Sequence, residues 1–78
     1  MQKNVTIYST PSCHFCHMAE DYFKENKVAY TEYNVASDLE KRKEMIEKSG
    51  QMGVPVIIIG DELMVGFNEP LISKLLGI

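Results

Sequence analysis

Cys13 and Cys16 are the chain's two cysteines, separated only by His14 and Phe15. Two thiols at this spacing suit thiol–disulfide exchange if a helix begins at the first of them. A cysteine at a helix N-terminus faces unpaired backbone N–H groups and the positive end of the dipole. Both favour the thiolate, which is the nucleophile. The second cysteine then lies on the same face one turn later, where it can attack a mixed disulfide formed on the first. Cys13 is therefore the expected nucleophile and Cys16 the expected resolving thiol. A protonated, exposed His14 would stabilise the Cys13 thiolate and make the disulfide more oxidising. It reads equally well as a tolerated surface residue, and His17 reads as a solvated helix position. No buried carboxylate is evident beside the pair, so water is the expected proton acceptor for Cys16.

Three other chemistries fit two cysteines. A structural disulfide here closes a loop of only a few residues, so it adds little by chain entropy, and a reducing cytosol would open it. Zinc has Cys13, His14, Cys16 and His17 to draw on. Sequence neighbours on a helix point to different sides, so the four converge poorly on a tetrahedral ion, and no second Cys/His cluster completes a site. Cys13-His14-Phe15-Cys16-His17 also matches the c-type haem motif Cys-x-x-Cys-His, with Met18, Met45, Met52 or Met64 available as a sixth ligand. Haem attachment goes with export and a mostly helical chain, and neither is expected here.

The elements around the cysteines follow from pattern. Val5-Thr6-Ile7-Tyr8 reads as a strand stopped by Ser9-Thr10-Pro11-Ser12. Phe15, Met18, Ala19, Tyr22 and Phe23 then recur at helical spacing to about Asn26, with Glu20, Asp21, Lys24 and Glu25 on the other side. Val28 to Val35 reads as a second strand. Ser37-Asp38-Leu39-Glu40 has the capping-box pattern, with Ser37 as cap. A largely charged helix follows, anchored by Leu39, Met45 and Ile46 and ended by Gly50 near Ser49. Val54 to Ile59 has the β-branched composition of a strand covered on both faces. Gly60-Asp61 suits a type II′ hairpin turn leading into Glu62 to Val65. Asn68 can cap a last helix, with Pro70 in its first turn and a stripe of Leu71, Ile72, Leu75 and Leu76.

The order is β-α-β-α-β-β-α. The first crossover implies parallel, right-handed pairing, and the hairpin adds an antiparallel edge. This predicts an α/β chain with a four-stranded mixed sheet and helices on both faces, the minimal plan of the thioredoxin fold. Seventy-eight residues allow a single domain over 1–78. Composition agrees, with 45% apolar and 24% charged residues excluding disorder. A net charge of −3 without single-sign blocks argues against nucleic acid. The longest apolar run falls far short of the ~20 residues of a membrane span. Met1 to Val5 carries no signal-peptide core, so the cytoplasm is the expected compartment.

Three separated motifs resemble the glutaredoxin family: Tyr8-Ser9-Thr10-Pro11-Ser12-Cys13-His14-Phe15-Cys16, Gly53-Val54-Pro55-Val56 and Val65-Gly66-Phe67-Asn68. The resemblance covers essentially the whole chain. It implies a dithiol–disulfide oxidoreductase acting on protein or small-molecule disulfides, with no bound cofactor. It further implies that Pro55 is cis and packs beside the active cysteines, with Val54 offering its backbone to an extended substrate. The substrate-contacting set it implies is Thr10, Pro11, His14, Phe15, Val54, Pro55, Gly66, Phe67 and Asn68.

Three departures bear on the reductant. Glutaredoxins usually carry a basic residue where Thr10 stands, a threonine where Gly53 stands and acidic residues where Phe67-Asn68 stand; all three help to hold glutathione. Gly66-Phe67 looks instead like NrdH-redoxins, which take electrons from thioredoxin reductase, and the stretch from Lys48 to Val56 is similar to small YruB-type glutaredoxin-like proteins. The implied partners are a disulfide-bearing protein and either glutathione or thioredoxin reductase, with the chain acting as a monomer. Some glutaredoxins also bridge an iron–sulfur cluster through the first cysteine and glutathione, a binding role that the same departures weaken.

Overall fold

The computed structural model describes residues 4–78. Met1, Gln2 and Lys3, part of the segment read above for a signal peptide, lie outside the described residues. Strands β1 (Val5–Ser9), β2 (Thr31–Asn34), β3 (Val56–Ile59) and β4 (Glu62–Val65) form one mixed sheet in the order β2-β1-β3-β4. Helices α1 (His14–Glu25), α2 (Leu39–Ser49) and α3 (Glu69–Leu76) complete the predicted order. β1 pairs parallel with β2 and antiparallel with β3, and β3 pairs antiparallel with β4.

Strand alternation divides the core in two. Val5 and Ile7 of β1 join Ala19 and Phe23 of α1, Ile57 and Ile59 of β3, and Ile72 of α3 on one face. Tyr8 and Val56 point to the other face, where Met45 of α2 and Val35 pack. Both central strands are thus covered on both sides, as their β-branched runs require.

β1 runs on to Ser9 and β2 ends at Asn34, and three further limits differ from the sequence reading for a local reason. The second strand starts at Thr31 rather than Val28 because α1 ends in a left-handed turn. Lys27 has φ +57, and the N–H of Val28 reaches back to the carbonyl of Phe23. Helix α2 is capped by Asp38 rather than Ser37. The amide oxygen of Asn34 accepts from Ala36, and its carbonyl accepts from Ser37 and Asp38. That turn uses Ser37 and leaves Asp38 to receive the Lys41 N–H at 3.1 Å. The third strand starts at Val56, since Pro55 has no N–H to give to a ladder; the Val54–Pro55 bond before it is cis. Gly60 alone of the hairpin pair has positive φ, at +61, in keeping with the predicted type II′ turn.

The register sets where the loops meet. Tyr8 lies opposite Tyr33 on one side and Val56 on the other, and Val56 lies opposite Val65. The loop leaving β1, the segment entering β3 and the segment leaving β4 therefore emerge at the same end of the sheet.

Candidate functional site

Cys13 is the N-cap of α1, with extended φ −86 and ψ 111. The turn before it is closed by its own N–H donating to the carbonyl of Thr10 at 3.2 Å. Its Sγ fills the place that a serine or aspartate oxygen takes in an ordinary cap, accepting the backbone N–H of Cys16 at 3.1 Å. A donor aimed at the sulfur from a helix N-terminus is placed to stabilise negative charge there. Both cysteines are free; Cys13 is half-buried and Cys16 fully buried. Burial pushes the Cys16 thiol up to about 12, helped by its hydrogen bond with Cys13, while a backbone hydrogen bond from Thr10 pulls the other way. One sulfur thus faces outward and the other lies one turn deeper, held as a thiol.

The other expected site residues fall at this end of the sheet, in different circumstances. Val54–Pro55 is cis, Pro55 is buried, and its carbonyl accepts the Gly66 N–H at 2.8 Å. Gly66 has φ +89, so its backbone conformation calls for glycine. Phe15 stands out, 57% exposed, with the His14 ring against its edge at 5.6 Å. Thr10 is half-buried and Pro11 exposed in the turn before Cys13. Phe67 is half-buried against the larger core face and meets Tyr22 edge-on at 5.9 Å. Asn68 caps α3, its amide oxygen accepting the Leu71 N–H at 3.2 Å. Phe67 and Asn68 thus carry structural contacts of their own.

The sequence reading placed Glu20 on the solvated side of α1, and the structure corrects this. Glu20 is half-buried, one helical turn beyond Cys16. Glu32, on edge strand β2 opposite Ile7 and so on the sheet face that α1 packs against, lines the same groove as Glu20. The buried hydroxyl of Ser9 donates to Glu32 at 3.1 Å. Burial, then the hydrogen bond and negative charge of Glu32, pushes Glu20 up to about 7. Glu32 is held below the ordinary carboxylate range, chiefly by Glu20 as its hydrogen-bond partner. The pair lines an open groove of about 350 Å³ with Thr10, Pro11, His17 and Lys24. His17 is anchored there through Nε2 and the Pro11 carbonyl, 2.7 Å apart. The available signal was the four-residue step from Cys16 to Glu20, whose weight depends on where β2 lies.

Among the described residues no group of three or more His, Cys, Asp or Glu side chains is arranged to hold a metal ion. No helix among them is long and apolar enough to cross a membrane.

Comparison with known proteins gives a consistent picture. The glutaredoxin family model matches residues 5–64. An 8.6 kDa glutaredoxin-like protein of the rubredoxin operon of Clostridium pasteurianum is 43% identical over 92% of this chain and 96% of its own. Glutaredoxin 3 of Escherichia coli K12 is 33% identical over 85% of this chain and 80% of its own. Among solved structures, a mutant of the thioredoxin-like protein BC3987 superposes with a TM-score of 0.90 at 29% identity, covering 97% of each chain. The NrdH-redoxin of Escherichia coli superposes with a TM-score of 0.81 at 28% identity, over 92% of this chain and 93% of its own.

Proposed function

This chain belongs to the glutaredoxin family, and from that premise we propose that it is a cytoplasmic dithiol–disulfide oxidoreductase that reduces protein disulfides as a monomer and takes its electrons from thioredoxin reductase. The observation that carries the reading is the Cys16 N–H on the Cys13 sulfur, which joins an outward nucleophile to a buried resolving thiol.

The chemistry runs in two exchanges. The Cys13 thiolate attacks one sulfur of the substrate disulfide, and the other leaves as a thiolate. Cys16 then gives up its proton and attacks Cys13 Sγ, forming the Cys13–Cys16 disulfide and releasing the second substrate thiolate. The dithiol supplies both electrons. Val54 and Pro55, together with Phe15, Gly66 and Phe67, are the surface against which the substrate lies, with Thr10, Pro11, His14 and Asn68 at its margins.

Thioredoxin reductase is favoured as electron donor because the glutathione-holding positions are changed. Thr10 brings no charge, Gly53 lacks a hydroxyl, and Asn68 offers its amide oxygen to Leu71 rather than a carboxylate to a ligand. The NrdH-redoxin of similar structure is described as having a thioredoxin-like activity profile.

The test is NADPH oxidation coupled to reduction of a small disulfide. One arm contains thioredoxin reductase; the other contains glutathione and glutathione reductase. Turnover with thioredoxin reductase alone is expected. Turnover with glutathione alone overturns the choice of donor and makes this a glutathione-dependent glutaredoxin. No turnover in either arm, with Cys13 intact, overturns the oxidoreductase reading.

A further inference from the structure

Resolution requires Cys16 to lose a proton, yet its sulfur is buried and held as a thiol. Bulk water is poorly placed to receive that proton. The helical step from Cys16 to Glu20 brings the two Cβ atoms to about 5–6 Å, a gap that a glutamate side chain closes directly or through one water. Glu32 lines the same groove as Glu20 from β2, and the Ser9 hydroxyl of β1 donates to Glu32. The groove beside the pair opens to solvent, so a proton collected there has a way out.

Resting on the thiol-exchange reading above, we propose that the Glu20–Glu32 carboxyl pair is the proton acceptor for Cys16 when it resolves the mixed disulfide. The Cys16 Sγ–H proton passes to the Glu20 carboxylate. The electron pair left on sulfur forms the bond to Cys13 Sγ, and the bond from Cys13 to the substrate sulfur breaks, its electron pair leaving with the substrate thiolate. The acquired proton then passes to solvent through the groove.

Two carboxyl groups suit this task better than one. A lone carboxylate is a weak base at neutral pH, and general bases work best when they titrate near the working pH. Two carboxyls in contact cannot both ionise freely, so one is raised toward neutrality. Glu20 is the raised member, brought to about 7. The groups that surround the pair are known from each element. On α1, His17 and Lys24 favour its charged form. On β1 and the following turn are Ser9, Thr10 and Pro11, on β2 is Asn34 beside Glu32 itself, and Tyr30 lies just before β2.

A chromogenic aromatic disulfide, 5,5′-dithiobis(2-nitrobenzoate), separates the two exchanges. Attack by Cys13 releases one coloured thiolate, and resolution by Cys16 releases the second. In the native protein the second phase is expected to accelerate with pH through an inflection near 7, the value to which Glu20 is raised. Glu20→Gln should slow the second phase about tenfold or more relative to the first at neutral pH, and should abolish the inflection. Glu32→Gln should keep the inflection but move it toward lower pH, because the neighbour that raises Glu20 is gone; this variant decides the matter if Glu20→Gln folds poorly. Superimposable second phases in native protein and Glu20→Gln, or an unmoved inflection in Glu32→Gln, overturn the inference while the first phase still supports the oxidoreductase reading. Absence of the first phase in the native protein overturns both.

Discussion

The amide of Gly66 donates to the carbonyl of Pro55 across 2.8 Å, joining the segment that leaves β4 to the cis-proline segment that enters β3. The bond holds together two of the loops that meet at the end of the sheet where Cys13 sits. It depends on a backbone conformation, φ +89 at Gly66, rather than on tight space, since a Cβ built there meets nothing within 4 Å.

Gly66→Ala should therefore destabilise the fold by about 1–2 kcal/mol through backbone strain alone. Gly66→Asn should cost less, because asparagine enters the left-handed region more readily than other side chains. Urea denaturation of the two variants checks the order. A neutral alanine variant would mean that the segment relaxes to another conformation.

The two thiols should differ sharply toward an alkylating agent. With its thiol raised to about 12 and no exposed surface, Cys16 should react with iodoacetamide at least a hundredfold more slowly than Cys13 at pH 8. Mass spectrometry of the reduced protein should find a single adduct, on Cys13. In Cys13→Ser, Cys16 should stay unmodified until denaturant is added. Equal labelling of both cysteines in the folded protein would contradict the buried placement of Cys16.

On the opposite face of the sheet, buried Tyr8 donates its hydroxyl to Glu44 of α2. Lys41 lies 3.5 Å from the same carboxylate and 4.3 Å from the centre of the Tyr33 ring. The Tyr8 hydroxyl is the leading cause that holds Glu44 below its ordinary value of 4.5. A carboxylate depressed in the folded state adds stability that is present above its unfolded value and is lost as pH falls through the folded one. Tyr8→Phe should therefore cost about 1 kcal/mol at neutral pH. The difference from native should shrink below about pH 4.5, where Glu44 protonates in the unfolded chain. Thermal melts from pH 7 to about pH 3 check the sign; a difference that grows toward acid would refute it.

Lys27 occupies the left-handed turn that ends α1 with φ +57, where a side chain is disfavoured. Lys27→Gly should raise stability by about 0.5–1 kcal/mol, or a few degrees in Tm. A loss of stability would show that the lysine contributes more through its charge than its backbone costs.

Much of this molecule was legible in the chain because the information was local. The Cys13–Cys16 spacing, the cap at Asn68 and the strand that ends at Ile59 each depend on residues within one turn or one strand, and each stands as expected. The misplaced element limits were local as well, but they were contests between near-equal partners. Ser37 and Asp38 can both cap a helix, and Asn34 decided between them by drawing Ser37 into its own turn. Nothing in the composition of Asn26-Lys27-Val28 marked a left-handed residue, because lysine is an uncommon choice there.

Glu20 was the instructive failure. Among Glu20, Asp21, Lys24 and Glu25, all assigned to the outer side, sequence spacing cannot single out the one that an edge strand will cover. That depends on β2 lying beside β1 in parallel register, which sets Glu32 opposite Ile7 on the sheet face that α1 packs against. By itself, then, the sequence determined the Cys13–Cys16 spacing, the order of the elements and the family, because helix and strand periods and a three-residue thiol spacing are short-range properties. Only the tertiary structure decided that Gly66 would meet Pro55 and that Glu20 and Glu32, from a helix and a strand, would line one groove a turn from Cys16. Contacts of that kind come from strand register and from the burial that register imposes, and no local pattern encodes either.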